Sequence, residues 1–356
     1  MSSKARLGWG PFFAEQVDDA NRGLLFARVI QEHRALLRVA GDSDGWAAVS
    51  GRFRHEAGSA ADFPVVGDWV TLTVTDHSRA VIQSCLKRRS VVARAAAGRA
   101  TSRQVIAANV DTVFVVTTVT EDLSERRLDR YLTMVWDSGA MPVVIVNKAD
   151  LMTSGEDIVG RLRARLPFVG VVALSALTDT TLAPLVPYLQ PGVTIALVGS
   201  SGVGKSTLVN RLLGRDLQRV GAVRESDQTG KHVTSSRQLI ELPGGALLID
   251  TPGMRELVPW VESPALDTVF ADIVELAAGC RFSDCAHESE PGCAVREAMA
   301  TGGLAVDRLA SYRDLQREAA FEERKRDKSA AAREKRRWKQ ITRDQRARYR
   351  DRERDR

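Results

Sequence analysis

The stretch Val193 to Thr207, Val-Thr-Ile-Ala-Leu-Val-Gly-Ser-Ser-Gly-Val-Gly-Lys-Ser-Thr, leads from an apolar strand into a glycine-rich loop and on into a helix from Lys205. Its loop, Gly199-Ser200-Ser201-Gly202-Val203-Gly204-Lys205-Ser206-Thr207, satisfies the full P-loop pattern. Such a loop needs glycines because its backbone N–H groups turn inward onto phosphates at a helix N-terminus, where side chains would block the approach. Lys205 is placed to reach the β and γ phosphates and the Ser206 hydroxyl to ligate Mg²⁺. Further on, the strand Ala246 to Ile249 ends in Asp250-Thr251-Pro252-Gly253. An Asp at the carboxyl end of a buried strand beside a P-loop is positioned to hold Mg²⁺ through water, and Gly253 can offer its N–H to the γ-phosphate.

The base is read upstream. The strand Pro142 to Val146 ends in Asn147-Lys148-Ala149-Asp150. Guanine presents a donor pair at N1 and N2 that one carboxylate accepts, so Asp150 fits that role. Adenine would leave a buried carboxylate there unsatisfied, so such a contact selects GTP over ATP. Asn147 can bond the other edge of the ring or tie this loop to the P-loop, and the Lys148 stem can cover the base plane. Ser175-Ala176, at the end of the strand Val171 to Leu174, supplies a small-residue turn whose backbone N–H can reach the guanine O6. The order is therefore base motifs first, then P-loop, then Asp-Thr-Pro-Gly. A circular permutation accounts for it, since a sheet can be joined at its old termini and cut elsewhere without moving the site. After Gly253 stands apolar Met254, where Ras-type enzymes carry a water-orienting glutamine. His232, between P-loop and Asp250, is the nearest polar group for that task.

Around this centre the chain divides by pattern. The first hundred residues read as short strands (Ala35 to Val39, Trp46 to Val49, Trp69 to Thr75) separated by Gly and Asp turns, which suits a small sandwich or barrel. From Asp111, Val/Ile/Leu strands alternate with helical stretches, among them an amphipathic helix from Ser124 to Ser138. That alternation indicates a mostly parallel sheet covered on both faces. A helical segment follows from about Pro264, and Ala305 to Phe321 is helical again. With 356 residues, 44% hydrophobic and 27% charged, the chain is long enough for two or three domains with cores of their own. No apolar run approaches the roughly 20 residues of a membrane span, and the start Met-Ser-Ser-Lys-Ala-Arg lacks a signal-peptide core, so a cytoplasmic location is expected.

The net charge of +6 is unevenly placed: residues 322–356 hold 16 Lys or Arg against 8 Asp or Glu. The basic character therefore belongs to a tail, whose partner would be a polyanion; a solvated charged helix is the plainer alternative. Arg333, Lys335, Arg336, Arg337 and Lys339 can meet phosphates, and Trp338 can stack. Three of the four cysteines, Cys280, Cys285 and Cys293, crowd together with His287. Four N/S ligands in the pattern C-x4-C-x-H-x5-C point to one structural Zn²⁺ in a closed tetrahedral site rather than to disulfides. Cys85, standing apart, reads as a small buried hydrophobe.

Taken together, these motifs resemble the ribosome small-subunit-dependent GTPase A family (RsgA, also called YjeQ), bacterial circularly permuted GTPases. The likeness spans nearly the whole chain. Besides the motifs above it rests on Arg224-Glu225-Ser226-Asp227, Gly230-Lys231-His232, Met254-Arg255-Glu256-Leu257 and the segment Cys280 to Cys293. It implies an N-terminal OB-fold over 1–100, a permuted GTPase domain over 101–264, a mainly helical zinc domain over 265–321 and the basic tail 322–356. It also implies GTP hydrolysis to GDP and phosphate, stimulated by the small (30S) ribosomal subunit during its late maturation, with rRNA as partner, no membrane and a monomeric state. The same histidine, His232, is singled out for catalysis. The family's Gly-Arg-His-Thr-Thr-Thr is here Gly230-Lys231-His232-Val233-Thr234-Ser235. Thr234 is retained as γ-phosphate and Mg²⁺ ligand, with Ser235 a second hydroxyl in reach. Two other classes compete: a nucleotide-gated RNA-binding module with little hydrolysis, and an ATP-using P-loop enzyme such as a kinase, for which no second-substrate site is visible.

Overall fold

The computed structural model describes residues 2–33, 36–74, 80–96, 99–119, 123–152, 157–179, 182–214, 237–250 and 263–321. Two short helices, α1 (Ser3–Arg6) and α2 (Pro11–Ala14), precede a barrel of five strands: β1 (Leu25–His33), β2 (Leu36–Gly41), β3 (Gly45–Val49), β4 (Trp69–Val74) and β5 (Ala80–Cys85). The strand order β1-β2-β3-β5-β4 closes through a β1–β4 pairing, β3 runs parallel to β5, and helix α3 (Gly51–Glu56) links β3 to β4. This is the OB-fold. Its alternation is plain in β2, where Leu37 and Val39 turn into the barrel while Leu36 and Arg38 face out. A separate antiparallel hairpin, β6 (Val91–Ala96) with β7 (Arg99–Ala108), follows.

The second sheet holds β8 (Thr112–Thr118), β9 (Met141–Asn147), β10 (Gly170–Ala173), β11 (Thr194–Val198), β12 (Gln238–Glu241) and β13 (Leu247–Asp250). Its order is β10-β9-β8-β11-β13-β12, parallel except for β12. Residues of β8 are buried throughout, as expected when helices cover both faces. One face packs on α4 (Glu125–Asp137) and α5 (Ile158–Arg165), the other on α6 (Lys205–Leu213). The helix expected over Ser124 to Ser138 is α4, with Ser124 as its N-cap and Ser138 as its C-cap.

The C-terminal helices α7 (Ser263–Val269), α8 (Ala271–Ala277), α9 (Ala294–Ala300) and α10 (306–321) share the first of these cores, contributing Phe270, Ile273, Val295, Leu309 and Leu315. A chain of alternating charges fixes them to α4. Asp129, fully buried, accepts from Arg308 of α10 at 2.7 Å, from Arg165 of α5 at 2.6 Å and from Ser311 at 3.1 Å. Arg308 also pairs with Asp272 of α8 at 3.0 Å and lies over the Phe270 ring.

Barrel and second sheet meet at β1. Its first half pairs with β4, and at Gln31 it pairs with Gln238 of β12, reinforced by the ion pair of Glu32 with Arg237 at 3.1 Å. Beneath this junction Arg28 is almost wholly buried. It donates to the carbonyls of Gly67, Leu7 and Asn109 and to the Thr194 hydroxyl of β11, at 2.7 to 3.0 Å. Burial brings this guanidinium down to about 10, so it remains charged at neutral pH. Gly67 (φ +96°) has no room for a side chain, since a Cβ there would lie 2.0 Å from the Ala108 carbonyl.

Candidate functional site

The parallel register brings the carboxyl ends of β10, β9, β8, β11 and β13 to one rim, where ligands bind in open α/β sheets. Asn147 ends β9, Ser175 and Ala176 follow β10, Gly199 follows β11, and Asp250 ends β13. Four motifs scattered over a hundred residues thus converge. Strand periodicity delivers each polar residue at the point where the apolar run stops.

One side chain joins three of them. Asn147, 2% exposed, donates from Nδ2 to the Val203 carbonyl of the P-loop at 2.8 Å, and its Oδ1 accepts the Ala176 N–H at 2.9 Å. Of the two roles open to it in the sequence, tying the loops together is the one made here. The Ala176 N–H is correspondingly engaged by Asn147. Gly204, the residue before Lys205, must be glycine on two counts: its φ is +96°, and a Cβ would stand 2.2 Å from Asn147 Nδ2. Gly199 (φ +144°) is equally constrained by the Val116 carbonyl at 2.2 Å. Lys148 adopts the left-handed region at φ 58°, uncommon for a residue with a side chain, and so opens the short 3₁₀ turn that carries Asp150. Asp150 is exposed, whereas the sequence argument pictures its carboxylate buried; the surface it offers is one a bound base would cover.

Helix α6 starts at Lys205 directly behind Gly204, so its free N–H groups face the loop. Lys205 Nζ donates to the Gly199 carbonyl at 2.7 Å and to the Ser200 carbonyl. Ser200 and Ser206 are half-buried, Ser201 and Gly202 exposed, Val203 buried, and Thr207 half-buried in the first turn of α6. Asp250 is half-buried in register with Gln238. His232, Thr234, Ser235, Gly253 and the tail lie outside the described residues.

Two residues that sequence reasoning passed over shape the base side. Arg211, two turns into α6, donates to the carbonyls of Ala176 at 3.2 Å and Asp179 at 2.6 Å. Asp179 accepts the Ser175 N–H at 2.7 Å. The turn after β10 is therefore clamped by the same helix that carries the P-loop. No motif marks this; the only available signal was that a charged residue on α6 must point somewhere other than the core.

The Cys/His cluster lies on the loop between α8 and α9. Its four ligand atoms all fall within 4.8 Å of one another. Cys280 Sγ is 3.6 Å and Cys293 Sγ 3.4 Å from His287 Nδ1, and the two sulfurs are 3.9 Å apart. Tetrahedral coordination at ordinary Zn–S and Zn–N lengths requires about 3.8 Å between sulfurs and about 3.6 Å from sulfur to nitrogen. The donor set fits a metal ion. His287 is held in the left-handed region at φ 61°. The Glu290 carboxylate braces the loop by accepting the N–H groups of Ala286, Ser289 and Glu288; with its own backbone N–H, these hold it down at about 2. Cys85 is separate, half-buried against the barrel core, its thiol pushed up by burial.

A P-loop placed after its base motif, on a sheet that is parallel but for β12 and fronted by an OB-fold, defines a circularly permuted P-loop GTPase. The family model of the RsgA GTPase matches residues 85–260. The chain is 44% identical over 356 residues to the small ribosomal subunit biogenesis GTPase RsgA of Opitutus terrae, with 97% of each covered. The crystal structure of YjeQ from Thermotoga maritima superposes with a TM-score of 0.61 at 26% identity, over 83% of this chain and 99% of that one. YloQ, described as a circularly permuted GTPase, gives the same TM-score at 25% identity over 86% of this chain and 98% of its own. The chain belongs to the RsgA GTPase family. Among the described residues, no helix is long and apolar enough to cross a membrane.

Substituting Asn147→Ala removes two buried hydrogen bonds and leaves the Val203 carbonyl and the Ala176 N–H unpaired, at about 1–3 kcal/mol each. Guanine-nucleotide affinity is expected to fall by at least about tenfold, read by titration with a fluorescent GDP. Wild-type affinity would show that the two loops hold their places without it.

Proposed function

We propose that this protein hydrolyses GTP to GDP and phosphate and acts in late maturation of the small ribosomal subunit, which stimulates the reaction. The observation that carries the reading is the Asn147 bridge, which brings a guanine-type motif and a P-loop into one pocket rim. Asp150 accepts the guanine N1 and N2 donors and Lys148 covers the base; the Ser175-Ala176 turn borders it, and the Ala176 N–H serves O6 where it is shared with Asn147. The amides of Gly199 to Thr207 and the Lys205 ammonium take the phosphates, and Gly253 serves the γ-phosphate. Ser206, Thr234 and Asp250 would hold the Mg²⁺ that accompanies GTP, and the ion would supply neutralisation of the phosphate charge. His232 orients the attacking water, because Met254 has no group to do so. Docking on the small subunit brings His232 to the attacking water, which accounts for the stimulation.

Cys280, Cys285, His287 and Cys293 hold one structural Zn²⁺. The chain works as a cytoplasmic monomer divided at 1–100, 101–264, 265–321 and 322–356. Its barrel and basic tail, with Arg333, Lys335, Arg336, Arg337, Lys339 and Trp338, supply rRNA contacts.

Three measurements test this reading. Asp150→Asn is expected to weaken GTP binding and move preference toward a xanthine nucleotide, whose carbonyl matches the reversed donor pattern; unchanged guanine preference sinks the assignment. Metal analysis of protein purified without chelators is expected to find one zinc per chain, and a substantially lower content argues against the site. In His232→Ala, GTP affinity and small-subunit binding are expected to stay intact while stimulated turnover drops by about 10²-fold or more. Full stimulated turnover in that variant removes His232 from the mechanism.

A further inference from the structure

The first two turns of α4 carry three arginines, Arg126, Arg127 and Arg130. Arg126 pairs with Asp314 and Arg130 with Glu318, both on α10. Arg127 points the other way. Its Nη1 donates to Ser200 Oγ of the P-loop at 2.7 Å, and among the described residues it forms no ion pair.

The Ser200 carbonyl accepts from Lys205 Nζ while its hydroxyl accepts from Arg127, so one uncharged residue of the loop is bonded to two cations. A cation in the first turn of a helix also opposes the helix dipole. Arg127 is exposed and covers no core surface in return. An anion at the loop would give Arg127 the ion pair it lacks among the described residues and offset its position in the first turn, and the phosphates of a nucleotide are that anion. Which phosphate follows from the two ends of the loop. The base side is marked by Asn147 against Val203 and Gly204; Ser200 stands at the opposite end, where the last phosphate of the chain falls.

We propose that Arg127 is a γ-phosphate-positioning residue supplied by α4: when GTP binds, its guanidinium leaves the Ser200 hydroxyl for a γ-phosphate oxygen. The inference rests on the GTP-site reading above. The planar fork of an arginine suits a terminal phosphate, where both partners are ionised and the bond carries a Coulomb attraction that the bond to the uncharged Ser200 hydroxyl lacks.

The test compares affinities of the full chain for GDP and for a non-hydrolysable GTP analogue, first in the wild type. If the wild type binds neither, the GTP site itself is refuted. Given wild-type binding of both, Arg127→Ala is expected to weaken the analogue about tenfold and GDP by less than about twofold, with Arg127→Lys recovering part of the loss. Arg126→Ala, which removes the same charge from the same turn, is expected to leave the ratio of the two affinities unchanged. Equal weakening of both nucleotides by Arg127→Ala reduces Arg127 to a prop for the P-loop and overturns the proposal. No weakening of the analogue, or the same selective loss in Arg126→Ala, overturns it as well.

Discussion

The nucleotide end of this molecule depends on one amide. Asn147 fills the space that a side chain at Gly204 would need, and it satisfies a carbonyl on one loop and an N–H on another. Base motif, turn and P-loop come from distant parts of the chain, yet their relative positions are set by two hydrogen bonds in a buried setting, where unmade bonds are expensive. Arg211 adds a second tie from α6 to the turn after β10. Base motif, turn and P-loop are therefore joined as one piece, and such joining lowers the ordering cost that binding would otherwise carry.

Helix α4 stands between that rim and the C-terminal helices. One side of it reaches the P-loop through Arg127, and the other holds α10 through Asp129, Arg126 and Arg130. Asp129 is the centre of the second set, a carboxylate without exposure between two guanidiniums. Removing one partner from such a buried cluster leaves an uncompensated charge, typically a loss of about 3–5 kcal/mol. The arrangement therefore favours one seating of α10 over others. The basic tail begins immediately after that helix.

What could be read from the chain beforehand was whatever obeys a local rule. The α/β alternation, the P-loop, the ends of β9 and β13, the amphipathic helix α4 and the Cys/His cluster were all legible, because each is a short pattern with its own chemistry. Several elements were not read: β1, β5, the β6–β7 hairpin, β12 and α5. In β1 the apolar alternation is broken by Arg28, which is buried only because Leu7, Gly67, Asn109 and Thr194 converge on it from four separate segments. Strand β12, Gln-Leu-Ile-Glu, has just two apolar residues and exists through its partners β13 and β1. Likewise, Asn147 was left between two roles, since choosing required knowing that Val203 and Ala176 lie on either side of it. Long-range partners are invisible to any local pattern.

The permutation acquires its meaning from those same partners. Gln238 opens β12 and Asp250 closes β13, and the two residues are paired across the ladder at one point of the phosphate rim. Gln238 is at the same time paired with Gln31 of the barrel, and Arg237 with Glu32. Beyond 262 the chain enters α7, which packs on α4. One member of the pair is thus joined to the barrel through a strand ladder, and the chain beyond the other continues to the helices that flank the Cys/His cluster. The order of the motifs places the phosphate end of the sheet between the two flanking domains, a placement that no local pattern in the sequence displays.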